Sequence, residues 1–279
     1  MPDAPDTTAA VRPTHPALRP LLLGYSLLGL GAGVPLYLQS GDTHQFAWTI
    51  KPPLTAAFLG AAYWASLVLN LLASRERVWA RVRIAVIPGL VFTTLMLTAT
   101  LIHLDRFHLH SSDSLARAVA WVWLVVYIAI PPLTLAALAT QVRAAGGDPP
   151  RAAPLQQWMR VALAVQGLVM VALGASLFAA PDATGSLWPW PLTPLTSRAT
   201  GAWLCGIGLT AVLAVFENDL RRIRAMLAAY GVVGVLEVIA LARYPHTLDW
   251  SAAVTWVYVV FLAAVLAVAV PGLLAARRA

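Results

Sequence analysis

Three groups of residues in this chain are of types that could do chemistry. The first is Glu237, which stands inside an apolar stretch, six positions before Arg243. A charge at the centre of a bilayer costs on the order of 2.5–3.5 kcal/mol on insertion scales, so an acid kept there calls for a partner, a proton or a ligand. Arg198 opens another apolar stretch and is the expected partner. A Glu237–Arg198 pair could be a ligand-binding or proton site, or a purely structural pair, since buried pairs are not reliably stabilising.

The second group is a repeated Glu–Arg pattern. Glu76 is followed by Arg81 and Arg83, and Glu217 by Arg222 and Arg224. Each glutamate ends an apolar run, where a helix C-terminus disfavours an acid. Pairing with the arginines across a tight turn is predicted. Such pairs could clamp the turn, or form gates or an anion site. The third group is His103, Asp105, His108 and His110, all of metal-ligating type. Their spacing matches no standard zinc pattern, and surface histidines are the alternative. No histidine lies deep inside an apolar run, so haem is not expected. No phosphate-binding loop, HExxH, GxSxG or dinucleotide fingerprint is present, and no cofactor is expected. Cys205 is the single cysteine, so no intrachain disulfide can form.

The elements that must position these residues are membrane spans. The chain has 279 residues, 59% hydrophobic and 11% charged, against about 25% charged in soluble domains. About 20 apolar residues cross a bilayer. Eight spans are predicted at 19–38, 53–74, 83–103, 118–140, 158–180, 197–216, 223–243 and 252–275. An N-terminus inside the cell leaves only Lys51, Arg106, Arg117, Arg198 and Arg243 of the 19 basic residues outside. The positive-inside rule therefore predicts both termini in the cytoplasm. The basic excess, lying between apolar runs, sets orientation and does not point to nucleic acid. Trp48, Trp188, Trp190 and Trp250 are expected in an outer aromatic belt, with Trp79 and Trp158 at the inner face. Residues 1–18 are polar and Pro-rich, unlike a signal peptide, and are expected to form a disordered cytoplasmic tail. Pro131-Pro132 should kink the fourth span, and Asn70 and Gln166 should join helices.

The chain also matches itself at an offset of 141 (194 − 53 = 141): Pro53-Leu54-Thr55 meets Pro194-Leu195-Thr196, Gly60-Ala61 meets Gly201-Ala202, and Glu76, Arg81 and Arg83 meet Glu217, Arg222 and Arg224. Such self-similarity predicts two four-helix repeats, 19–140 and 158–279, joined by a cytoplasmic linker at 141–157. With four spans each, the repeats run parallel about an axis along the membrane normal. Thr55 and Thr196 should serve free backbone N–H groups at helix starts. Small residues at 29/33, 61/65 and 202/206 allow close helix packing, with spans 2 and 6 expected to meet near the axis.

The stretches WTIKPPLTAAFLGAAYWASLVLNLL, HLDRFHLH and WPWPLTPLTSRATGAWLCGIGLTAVLAVFENDLRRIR resemble uncharacterised bacterial multi-pass membrane proteins of actinobacterial and chloroflexal type. The resemblance implies a lineage and carries no activity. The expectation is an all-α protein of a bacterial cytoplasmic membrane, in contact with the lipid bilayer and open to a membrane-protein partner or homo-oligomer. Its expected role is transporter-like binding or movement of a small or lipid-like molecule. The alternatives are a structural or accessory subunit, and a metal-dependent membrane enzyme using the histidine cluster.

Overall fold

A computed structural model describes residues 10–278. Its eight long helices are α1 (Leu18–Leu38), α2 (Pro53–Ala73), α3 (Trp79–Ile102), α4 (Ser114–Val142), α5 (Gln157–Ala179), α6 (Pro194–Glu217), α7 (Leu220–Arg243) and α8 (Ala253–Arg278). Each is long and apolar enough to cross a bilayer. The chain is a multi-pass membrane protein.

Local chemistry starts and stops these helices. Pro53 and Pro194 open α2 and α6, where the missing N–H costs nothing. Thr193 and Thr196 exchange side-chain and backbone hydrogen bonds in a capping box at α6. Asp113 caps α4 and Asp219 caps α7, each accepting two backbone N–H bonds of the first turn. Asn218, at φ 44°, ends α6 in the left-handed conformation that a short polar side chain tolerates. α4 runs unbroken through Pro131 and Pro132.

α2, α3, α6 and α7 are the inner helices: 50–67% of their apolar stretches are buried, against 22–39% for α1, α4, α5 and α8. α1 packs along α2, and α5 along α6. α2 packs on α7, α3 on α6, α3 on α4, and α7 on α8. The expected α2–α6 meeting is slight. Gly60 and Gly201 serve each helix's own predecessor instead, while Gly206 meets Phe92 of α3. A Cβ on Gly60 would stand 2.6 Å from the Tyr37 backbone N, and one on Gly201 would stand 2.5 Å from the Gly174 carbonyl. Glycine is what permits the approach.

The loops at 39–52, 103–113, 180–193 and 244–252 share one end, here called the histidine end. The opposite, arginine end carries the α2–α3 and α6–α7 turns and residues 143–156. There residues 10–17 are tied down, in place of the unstructured tail expected through 18. Arg12 N donates to the Gly147 carbonyl, Thr14 N to Arg77, and Trp79 N to Arg12. Gln141 closes the knot, accepting from His15 N and donating to the Pro13 carbonyl. Backbone polar groups near the apolar core must find partners, and these are long-range. Residues 1–9 of the expected tail lie outside the described residues.

Three of the expected belt tryptophans are in the interior. Trp48 is 3% exposed, Trp188 4% and Trp190 2%. Trp48 packs edge-on to Trp123, and Trp188 and Trp190 pack on Phe58 and Tyr258. Aromatic pairing and burial hold them there. Trp79, expected at the inner interface, is likewise buried, while Trp158 and Trp250 stay exposed.

Candidate functional site

The helices α1 and α4 touch only slightly, and a furrow runs between them. Its central part is a pocket of about 290 Å³, walled by aromatic rings of Tyr25, Phe46, Tyr63, Phe92, Trp123 and Tyr127 and by Leu28, Val119, Val122 and Val126. The furrow extends toward the histidine end past Pro35, Gln39 and Leu115, and toward the arginine end past Leu21, Gly24 and Leu133. The polar atoms around the pocket are satisfied within the protein. Tyr63 and Tyr127 share a hydrogen bond of 2.6 Å between their hydroxyls. Tyr25 and Thr134 share one of 2.9 Å. Thr93 donates to the Gly89 carbonyl, and the Trp123 indole donates to Thr100 at 3.1 Å. With these groups paired off, the wall is chemically apolar.

A second cavity, of about 60 Å³, lies among α2, α3, α6 and α7. Tyr25, Ser66 and Phe92 line both spaces; Asn70, Trp203, Thr210, Met226 and Tyr230 belong to the inner one. The Tyr230 hydroxyl and the Trp203 indole N–H are buried without a hydrogen-bond partner. Leaving a buried donor unsatisfied costs about 1–3 kcal/mol, and both residues belong to the wall of the inner cavity.

Glu237 is 1% exposed. It does not pair with Arg198, and the expected ion pair is thereby corrected. The Tyr258 hydroxyl donates to Glu237 Oε2 at 3.0 Å, and Oε1 is unpartnered. Arg198 donates instead to His103 Nε2 at 2.7 Å. The physical reason is placement: Arg198 lies in the first turn of α6, beside the end of α3, while Glu237 lies well inside α7 against α8. A guanidinium only donates, so Nε2 is the acceptor and His103 is neutral. Burial, and then the Arg198 charge, hold His103 below the usual histidine range. Glu237 walls neither cavity.

At the arginine end the short-range Glu–Arg pairs form: Glu76 with Arg81 at 3.1 Å, and Glu217 with Arg222 at 3.0 Å. Arg83 departs from the pattern. It crosses to Glu217 and to Asp148, bonding the latter at 2.7 Å. Arg222 also reaches Asp148 at 3.5 Å and the Pro149 carbonyl. Arg224, the counterpart of Arg83, is exposed. Asp148 and Pro149 lie in the segment between α4 and α5, so this network fastens that segment to α3, α6 and α7. Asp219 adds to the fastening. Burial alone would raise its carboxyl, but N–H groups of Ala152, Ala153, Arg221 and Arg222 outweigh that and hold it below the usual carboxylate range.

His103 caps the end of α3, Asp105 lies in one short helical turn, and His108 and His110 lie in a second. His103 holds Arg198, Asp105 pairs with the neighbouring Arg106, and His108 bonds the Phe46 carbonyl and Thr49. Among the described residues no three His, Cys, Asp or Glu side chains come together as metal ligands. No family model, no curated protein and no solved structure matches the chain.

Proposed function

We propose that this protein binds a small, lipid-like molecule in the furrow between α1 and α4, entered sideways from the bilayer. The observation that carries this is the aromatic pocket of about 290 Å³. It is concave, largely apolar and of the size that ligand sites have. Its rim residue Val122 is 59% exposed on the lipid-facing side of α4. Binding is favoured over passage through the molecule because Glu237 lies off the pocket, where it serves to fasten α7 to α8 through Tyr258. An accessory subunit would keep small-residue faces free for a partner, whereas Gly29, Gly33, Gly60, Gly174, Gly201 and Gly208 all face neighbours within the chain.

The molecule around this pocket is a parallel duplication with both termini in the cytoplasm of a bacterium. Helix contacts support it: exchanging α1–α4 with α5–α8 turns the α1–α2, α2–α7 and α3–α4 contacts into α5–α6, α6–α3 and α7–α8, all of them present. Close contacts agree to the atom. A Cβ on Gly33 would meet Tyr63 Cβ and Trp64 N; one on Gly174 would meet Leu204 Cβ and Cys205 N, each 141 positions on. The inner cavity falls on the axis between the halves, since its wall pairs Ala65 with Gly206, Leu69 with Thr210, Ala85 with Met226 and Gly89 with Tyr230. The gathering of arginines at one end supports the orientation.

Gly31 tests the site. It lines the pocket, and a Cβ there meets nothing within 4 Å, so Gly31→Phe blocks the furrow without straining the helix. Native mass spectrometry in mild detergent is expected to show a lipid-like adduct on the wild type that is lost from Gly31→Phe. An adduct that persists unchanged in the variant, or a wild type carrying only bulk lipid, would contradict the proposal.

A further inference from the structure

We infer that the ligand of this pocket is an uncharged amphipathic molecule whose hydrogen-bond acceptor, a carbonyl-type oxygen, docks in the inner cavity against the Tyr230 hydroxyl and the Trp203 indole N–H. The inference rests on the pocket proposed above and concerns what occupies it. The two spaces adjoin: Tyr25, Ser66 and Phe92 line both. They differ in chemistry. Around the outer pocket the tyrosine, threonine and indole groups are already paired with one another or with backbone, so it suits a hydrocarbon body. Of the residues walling the inner cavity, Tyr230, 3% exposed, and Trp203, 5% exposed, have buried polar atoms with no partner.

An indole N–H can only donate, and a phenol donates as well as accepts. Two donors without acceptors ask for an oxygen with two lone pairs. Charge is excluded by the walls. Neither space is lined by an Asp, Glu, Lys, Arg or His side chain, and an ion carried into such surroundings would have no counter-charge. A fatty-acid anion or an amine is therefore a poor fit, and a ketone, quinone or ester carbonyl a good one. The small inner volume admits the head group and excludes the chain, which stays in the furrow between α1 and α4. Phe92 and Trp203 stack with ring centroids 3.8 Å apart, so the donor on Trp203 is presented by a ring fixed in place.

Radiolabelled 2-tridecanone, tridecane and the laurate anion are the test ligands, measured at equilibrium on the full chain in lipid nanodiscs. Wild type, Tyr230→Phe, Trp203→Phe and Gly31→Phe are compared. The ketone is expected to bind the wild type at least about fivefold more tightly than tridecane, the worth of one ordinary hydrogen bond, and laurate no better than tridecane. Tyr230→Phe is expected to remove about fivefold of the ketone affinity and leave tridecane unchanged, which a general packing defect would not do. Trp203→Phe is expected to act the same way. Gly31→Phe is expected to weaken ketone and hydrocarbon alike. Equal binding of ketone and tridecane by the wild type, or an equal loss of both in Tyr230→Phe, would overturn the inference while leaving the pocket standing. Unchanged binding of both in Gly31→Phe would overturn the pocket itself.

Discussion

Residues 18–142 and 157–278 each contribute four long helices, yet one seam is open and the other is filled. Between α1 and α4 lies the aromatic furrow. In the second region α8 sends Leu266 and Val265 onto Gly234 of α7, so close that a Cβ there would be 2.7 Å from Leu266 Cδ2. Farther along, Met159 of α5 and Leu227 of α7 close on Gly272 of α8. Under the proposed duplication the counterparts in the first region are Thr93 on α3, 141 positions before Gly234, and Pro131 on α4, 135 positions before Leu266 because the outer loop of the second region is six residues shorter. A proline cannot supply the flexible branched chain that fills such a gap. Interiors are packed to crystal-like density, so a space of this size kept in one region and closed in the other is a feature of that region. The charges are unequal in the opposite sense. Glu76 has one arginine and is 35% exposed, while Glu217 has two and is 4% exposed by side chain.

The largest expected effect concerns those two glutamates. Removing one partner of a buried ion pair costs about 3–5 kcal/mol, because Arg83 and Arg222 lose their shared acceptor. Glu217→Ala should lower the thermal unfolding temperature sharply in detergent. Glu76→Ala, at an exposed pair, should change stability by no more than about 1 kcal/mol. Equal effects would break the contrast between the two turns.

Next in size are the glycines. Gly174→Ala places a Cβ 2.7 Å from the Gly201 carbonyl and is expected to cost about 1–3 kcal/mol through overpacking. Gly31→Ala meets open space and should be neutral or slightly stabilising, since alanine is the better helix former. Urea or thermal unfolding in one detergent compares the two directly.

The smallest expected effect is a pH dependence at the α6–α7 turn that the α2–α3 turn lacks. Asp219 caps α7, whereas α3 has Val78 at the corresponding cap, without a side-chain bond. Backbone N–H groups hold the Asp219 carboxyl below the usual carboxylate range. A depressed carboxylate contributes stability above the unfolded value, and loses it as pH falls through the lowered folded value. Stability should thus decline below about pH 4, by about 1 kcal/mol for the cap. Asp219→Asn should remove that part of the decline, and a wild-type profile identical to that of the variant would contradict it.

Much of the fold is legible in hydropathy alone. All eight spans are found, with bounds that slip most at α3 and α4, which begin at Trp79 and Ser114 and not at 83 and 118, because Arg81, Arg83 and Arg117 interrupt their first turns. Glu76–Arg81 and Glu217–Arg222 follow from spacing on a turn. Arg83 does not, since its partner Glu217 is 134 residues away. The interior tryptophans are equally hidden. Composition places Trp at the interface by default, and only tertiary neighbours such as Trp123 and Tyr258 draw Trp48, Trp188 and Trp190 inward. The candidate site depends on how α1 and α4 diverge, which no local pattern encodes. Its one faint signal is the concentration of Tyr25, Tyr63, Phe92, Trp123 and Tyr127 in the first four spans.

The central claim is that the open seam, and not its filled counterpart, holds a ligand taken from the bilayer. The most direct test is photoaffinity mapping in nanodiscs with a diazirine-bearing long-chain ketone. Saturable adducts, competed by excess 2-tridecanone, are expected on Leu28, Val122 and Val126 of α1 and α4. Adducts spread equally over α5 and α8, or labelling that excess ketone fails to reduce, would contradict the account.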